Sequence, residues 1–70
     1  MTTIVDRALA IELSALITHR SVAATNVDAA LHARPYKREN FAYWVNVHRE
    51  ASAKLIAMGI DVVTYDEVKP

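Results

Sequence analysis

The chain opens with a long stretch that contains no helix-breaking residue, since neither glycine nor proline occurs before Pro35. The 70 residues include one glycine, two prolines and twelve alanines, a composition that favours helix. Arg34 precedes the proline, and that position disfavours the helical conformation. The pattern predicts a first helix over about residues 4–33. A break near Thr25, which could cap a second short helix, is the alternative.

A second helix is predicted after a turn at about residues 34–37. Gly59 is the residue type that ends a helix in the left-handed conformation, so helix 2 spans about residues 38–58. The β-branched residues that follow predict an extended arm or a very short strand over 60–70. The expected fold is all-α: one domain over 1–70, an antiparallel two-helix hairpin with a short extended C-terminal arm.

Helix 1 has apolar residues on two sides. Its main stripe, spaced by three and four residues, suits packing against an antiparallel neighbour and consists of Val5, Leu9, Leu13, Leu16, Ile17, Ala24, Val27 and Leu31. A second stripe on roughly the opposite side consists of Ile4, Ala8, Ile11, Ala15, Val22, Ala29 and Ala33. Helix 2 has one wide apolar face, made of Phe41, Trp44, Val45, Val47, His48, Ala51, Ser52, Leu55 and Met58. One neighbouring helix cannot cover both sides of helix 1.

The stripe left uncovered predicts self-association. At about 25 cal/mol per Å², a few hundred Å² of exposed apolar surface is several kcal/mol of burial not gained, comparable with the whole stability of a small domain. A two-fold homodimer buries that stripe without extra residues and gives a four-helix bundle. The expected dimer interface contains Ile4, Ala8, Ile11, Ala15 and Val22.

Two polar residues interrupt the apolar faces. Arg20 lies near the centre of the main stripe of helix 1. Either its stem packs while its head reaches water or an acid, or its charge fixes the dimer register or contacts a partner. His48 lies on the apolar face of helix 2 and His19 on the flank of helix 1, without the spacings typical of metal sites. We expect a hydrogen-bonded histidine at position 48, no metal and no cofactor.

The turn between the helices is predicted to bind a partner protein. It places three bases and a tyrosine beside Pro35, within residues 32–39. Tyrosine and arginine dominate interface hot spots, and proline lowers the entropy lost on binding. The candidate contacts are Tyr36, Arg38 and Tyr43, with Arg20 as a fourth. An ordinary solvated loop is the alternative.

The charges are unevenly distributed although the formal net charge is zero. Residues 34–54 carry five bases and two acids, and residues 55–70 carry three acids and one base. Zero net charge argues against a general binder of nucleic acid or anionic membranes. Charged residues also keep every apolar run shorter than the roughly 20 residues of a membrane span. We expect a soluble cytoplasmic protein that binds no membrane and has no targeting signal.

Residues that carry chemistry are scarce. The chain has no cysteine, no serine in a nucleophile elbow and no glycine-rich phosphate loop, so it is not expected to be an enzyme. An interaction module that binds and inhibits another protein fits best. A dimeric DNA-binding regulator is an alternative because Arg34, Lys37 and Arg38 supply bases, although helix 2 adds few more. A structural subunit of a larger assembly is the third class.

The alanine-rich hairpin, the absence of cysteine, the basic turn around Pro35-Tyr36 and the exit Met58-Gly59-Ile60-Asp61-Val62 resemble the small early proteins with which temperate bacteriophages shut down host factors. In size and layout the chain is especially similar to phage quorum-sensing anti-activators. The resemblance implies a helical dimer in the host cytoplasm. It also implies binding to a LuxR-type transcription regulator, whose DNA-binding surface would be occluded, and to a type IV pilus ATPase, which would block superinfection. It covers architecture only and transfers no site residue.

Overall fold

Two helices and an extended arm make up the protein in a computed structural model that describes residues 7–68. Helix α1 spans Arg7–Leu31 and helix α2 spans Arg38–Ala57. The helices pack against each other as a hairpin, and no β-strand occurs among residues 7–68. Neither helix in this part of the chain is long and apolar enough to cross a bilayer.

Helix α1 is continuous through Thr25 and Asn26, so the alternative of a break there is wrong. The Thr25 hydroxyl donates to the Ser21 carbonyl at 3.2 Å, and the Asn26 side-chain amide donates to the Val22 carbonyl at 2.9 Å. Because both side chains bond within the helix, they do not compete for the backbone groups of a cap.

The helix ends differ slightly from the expected bounds. Helix α1 ends at Leu31 rather than residue 33, because the Ala33 amide bonds to the Ala30 carbonyl, three residues back, at 3.3 Å and tightens the last turn. Helix α2 ends at Ala57, one residue earlier than expected. The predicted start of helix 1 at residues 4–6 lies outside the described residues.

Gly59 ends α2 as the sequence predicted. Its φ is +87°, its amide donates to the Ile56 carbonyl at 2.9 Å, and the Ile60 amide donates to the Leu55 carbonyl at 2.9 Å. This pair of bonds is a Schellman motif, whose left-handed position is usually glycine because glycine has no Cβ that would be strained there. The motif turns the chain back, so residues 60–68 return along the hairpin.

The buried apolar core is small. Its members are Ala23, Val27, Ala30, Ala42, Val45, Ala51 and Leu55, four of them alanines. Alanine allows close approach of two helices but buries little area for each residue. Within the described residues, the hairpin core therefore contains only three apolar side chains larger than alanine.

The contact face of α1 coincides with the predicted main stripe only in part. Among the described members of that stripe, Val27 is buried and Leu13, Leu16 and Ala24 are half-buried, whereas Leu9, Ile17 and Leu31 stay about half exposed. The reason is that α2 contacts the side of α1 that carries the small residues Ala23 and Ala30. The face of α2 agrees with the prediction: Val45, His48, Ala51, Ser52 and Leu55 are buried, and Phe41, Trp44, Val47 and Met58 are half-buried.

Candidate interaction surfaces

The turn and the start of α2 form an exposed aromatic and basic end of the hairpin. Tyr36 is exposed, and its ring centroid lies 6.0 Å from that of Phe41 at a tilt of 51°. Arg38, the first residue of α2, is exposed as well. The contact with the half-buried Phe41 restricts the Tyr36 ring before any partner binds, which lowers the entropy that binding would remove.

Tyr43 belongs to the same end of the molecule. It is 59% exposed and packs edge-on against Trp44, with centroids 5.0 Å apart and planes at 81°. Trp44 is half-buried, so the pair has one ring towards the hairpin and one towards solvent, as the sequence indicated. We call the surface of Tyr36, Arg38 and Tyr43 the tip.

Arg20, the fourth predicted contact, does not lie at the tip. Its Nε donates to Ser52 Oγ at 2.9 Å, and one of its terminal nitrogens donates to the Val63 carbonyl at 2.5 Å. Ser52 follows Arg38 by almost four helical turns, about 21 Å along α2. The charge of Arg20 is thus engaged by a hydroxyl and a backbone carbonyl, and it attaches the C-terminal arm to the hairpin.

Two further contacts attach the arm. Arg49 donates from Nη1 to the Tyr65 carbonyl at 2.6 Å, and the centroid of the Tyr65 ring lies 4.3 Å from that of the His48 ring. Together with Arg20, these residues fix the arm at Val63 and Tyr65. The sequence did not predict this, because the acceptors are backbone carbonyls, which every residue has. The signal that could have indicated these contacts was the presence of two basic residues, Arg20 and Arg49, together with two polar residues, Ser52 and His48, on the apolar face of helix 2.

His48 is buried, but one of its two ring nitrogens lacks the hydrogen bond expected from the sequence. The residue is 4% exposed, and its Nδ1 is enclosed without a hydrogen-bond partner. Burial lowers the pKa of His48 below 6.5, and the nearby positive charge of Arg20 lowers it further. The ring is therefore neutral at pH 7. No group of three metal-binding side chains occurs within residues 7–68.

Stability should fall as the solution is acidified through the titration range of His48. The unfolded histidine takes up a proton near pH 6.5 while the folded one resists it, so the unfolded state binds more protons and the free energy of unfolding decreases below about pH 6.5. The measurement is urea unfolding between about pH 7.5 and pH 5. His48→Phe, which keeps a ring against Tyr65 and cannot titrate, should show a shallower decrease. Equal slopes in the two proteins would contradict this assignment.

A second surface lies on the side of α1 turned away from α2. Ile11 is 68% exposed and Val22 is 49% exposed. Ala15, between them along the helix, and Ala8, which precedes Ile11, are exposed as well. Three of these four predicted interface residues, Ile11, Ala15 and Val22, line an open, mainly apolar groove of about 840 Å³. The fifth, Ile4, lies outside the described residues. The hairpin thus leaves this face of α1 uncovered.

Comparisons with protein families, with curated proteins and with solved structures found no match to the chain.

Proposed function

We propose that this chain is a non-enzymatic interaction module that forms a homodimer and inhibits another protein by binding it through the tip. The observation that carries the proposal is the number of large apolar side chains that stay about half exposed or more in the folded hairpin. These are Leu9, Ile11, Ile17, Val22, Leu31, Tyr36, Tyr43, Ile56 and Val63. Apolar surface on this scale is typical of proteins that bind other proteins.

The overall dimensions support the homodimer. The radius of gyration is 14.5 Å, whereas a compact domain of this length has about 11 Å. The hairpin is therefore elongated and has little interior. A second copy supplies the missing burial and brings four helices into one assembly, the arrangement proposed from the two stripes of helix 1.

The proposed target is a bacterial host protein, and the chain is proposed to act in the host cytoplasm. The resemblance to phage quorum-sensing anti-activators supports a LuxR-type transcription regulator, a type IV pilus ATPase, or both. The tip supports binding to a protein surface, because it offers two exposed tyrosines and an exposed arginine at one end of the hairpin. Inhibition would be stoichiometric, by occlusion of the surface that the target needs.

The double substitution Tyr36→Ala/Arg38→Ala tests the tip. Hot-spot tyrosines and arginines each contribute on the order of 2 kcal/mol, so we expect at least a hundredfold loss of affinity for the purified target, measured by calorimetry. Both side chains are exposed, so the variant should remain a folded dimer. Glu50→Ala, an exposed change farther along α2, is the matched control. Unchanged affinity in the folded double variant would contradict the assignment.

DNA binding is the second candidate, and the exposed bases Arg34, Lys37 and Arg38 at one end of the molecule favour it. Five bases among residues 34–54 are offset by two acids, and a regulator of this size would normally add bases along its recognition helix. A titration with sheared DNA at moderate salt separates the two candidates. Tight binding that weakens steeply with added salt would favour the regulator over the inhibitor.

A further inference from the structure

The uncovered face of α1 carries a strict seven-residue repeat. Ala8, Ala15, Val22 and Ala29 occupy one position of the heptad, and Ile11, Thr18 and Thr25 follow the first three of these at a spacing of three residues. His32, at the same spacing after Ala29, lies just beyond the end of α1. Repeats of this kind pack against another helix at a shallow angle. The face is turned away from α2, so α2 of the same chain cannot be that helix.

We infer that the face binds α1 of a second copy in antiparallel orientation, in a register that places Ile11 opposite Val22 of the partner subunit. The inference rests on the homodimer of the proposed function and specifies its interface. In this register Ala15 lies opposite Thr18 of the partner subunit, and Ala8 lies opposite Thr25 of the partner subunit. Isoleucine therefore meets valine at two layers, and alanine meets threonine at the other layers named here. Because large pairs with large and small with small, the helices can approach evenly along the seam.

The hydroxyl of Thr25 does not oppose burial in this seam. It already donates to the Ser21 carbonyl of its own helix at 3.2 Å, so the Thr25 hydroxyl keeps its hydrogen-bond partner when a second copy covers it.

Charges beside the seam favour the antiparallel orientation. In an antiparallel heptad pair, Arg7 lies opposite Asp28 of the partner subunit, and Glu12 lies opposite His19 of the partner subunit. Both acids therefore meet a basic residue. A parallel pair would bring Arg7 to the partner's Glu12 but would place Asp28 beside an alanine. Among residues 7–68 of its own chain, Asp28 forms an ion pair only with the exposed His32, whose Nδ1 is 3.5 Å from Oδ1.

The register places the two tips far apart. The two-fold axis crosses α1 midway between residues 15 and 18, and the tip lies beyond Leu31, so the tips stand at opposite ends of the dimer, roughly 45 Å apart. The two copies of α1 form the middle of the assembly and the two copies of α2 lie outside. Each dimer then presents two separate tips and can hold two target molecules at once.

Disulfide cross-linking tests the register directly, because the chain has no cysteine of its own. Ser14 and Ser21 are exposed and lie opposite each other across the antiparallel seam, so the Ser14→Cys/Ser21→Cys variant should oxidise to a covalent dimer in most of the sample. Within one chain the two positions are about 10 Å apart, beyond the reach of a disulfide. The matched variant Ser14→Cys/His19→Cys, which a parallel pair would cross-link, should form no covalent dimer on oxidation and should run as single chains without reductant.

The outcomes separate the register from the homodimer. Covalent dimers in the first variant alone support the inference. Cross-linking of the second variant alone overturns it in favour of a parallel pair, and no cross-linking of either variant in a protein that sediments as a dimer overturns the seam itself while leaving the homodimer standing. A monomer by sedimentation overturns both, whatever the affinity of the tip for its target.

A charge exchange provides an independent measurement. In the Arg7→Glu chain two acids face each other across the seam, and in the Asp28→Arg chain two bases do, so each homodimer should dissociate roughly tenfold more readily. Mixing the two chains should restore native affinity in the heterodimer, where each new charge meets its opposite. A mixture that forms heterodimers no more strongly than either homodimer overturns the antiparallel pairing.

Discussion

Replacing Arg20 by alanine is expected to lower the free energy of unfolding by about 2–4 kcal/mol, since hydrogen bonds from charged donors contribute about 1.5–3 kcal/mol each and the one to the arm is exposed. The substitution removes the bonds to Ser52 Oγ and to the Val63 carbonyl. Ser52 is fully buried, so its hydroxyl loses its partner with no water to replace it. Urea unfolding followed by circular dichroism measures the loss.

A matched substitution isolates the role of Arg20 from a general loss of positive charge. Arg49→Ala also removes an arginine bond to the arm, at the Tyr65 carbonyl, but that bond is exposed and leaves no buried group unpaired. We expect its effect to be about 1 kcal/mol or less. Arg20→Lys, which keeps the charge but lacks the two separated donors, should fall between the two. Equal losses for Arg20→Ala and Arg49→Ala would show that Arg20 is not the principal attachment of the arm.

Replacing Ile11 by glutamate is expected to raise the dissociation constant of the homodimer at least a hundredfold. Each dimer contains the substitution twice, and each copy would bring a carboxylate into an apolar contact. Ile11 is 68% exposed in the hairpin, so the packing of α1 on α2 should be kept. Sedimentation equilibrium gives the dissociation constant, and circular dichroism gives the helix content.

Ile56→Glu is the control for this experiment. Ile56 is about half exposed on α2, so the same chemical change occurs outside the proposed interface. We expect the dimer of this variant to be nearly as stable as the native one. If both glutamate variants dissociate equally, the effect comes from general acidity and the interface lies elsewhere.

The sequence predicted the parts of the fold that local chemistry decides. The absence of glycine and proline before Pro35 predicted α1, and Gly59 predicted the turn that ends α2, since each depends on the conformational range of single residues. The rotation of α1 against α2 was predicted only in part. Leu13, Leu16 and Val27 of the predicted stripe are half-buried or buried, but the most deeply buried described positions of α1 are Ala23 and Ala30, whose small size permits close packing.

The candidate surfaces were likewise predicted from the sequence only in part. The tip follows from residue type and position, and the exposure of Tyr36 and Tyr43 agrees with that expectation. The role of Arg20 in holding the arm could not be predicted, because its acceptors are a serine 32 residues away and a backbone carbonyl 43 residues away. Contacts of this kind depend on how the arm returns after Gly59, which no spacing within α1 or α2 encodes.

Sedimentation equilibrium of the unmodified protein at low micromolar concentration tests most directly whether a second copy completes this hairpin. We expect the mass of two chains, with helix content that matches α1 and α2, because the uncovered face of α1 exposes Ile11 and Val22. A single-chain mass in a sample that is helical and unfolds cooperatively would contradict the homodimer and the interaction surface built on it.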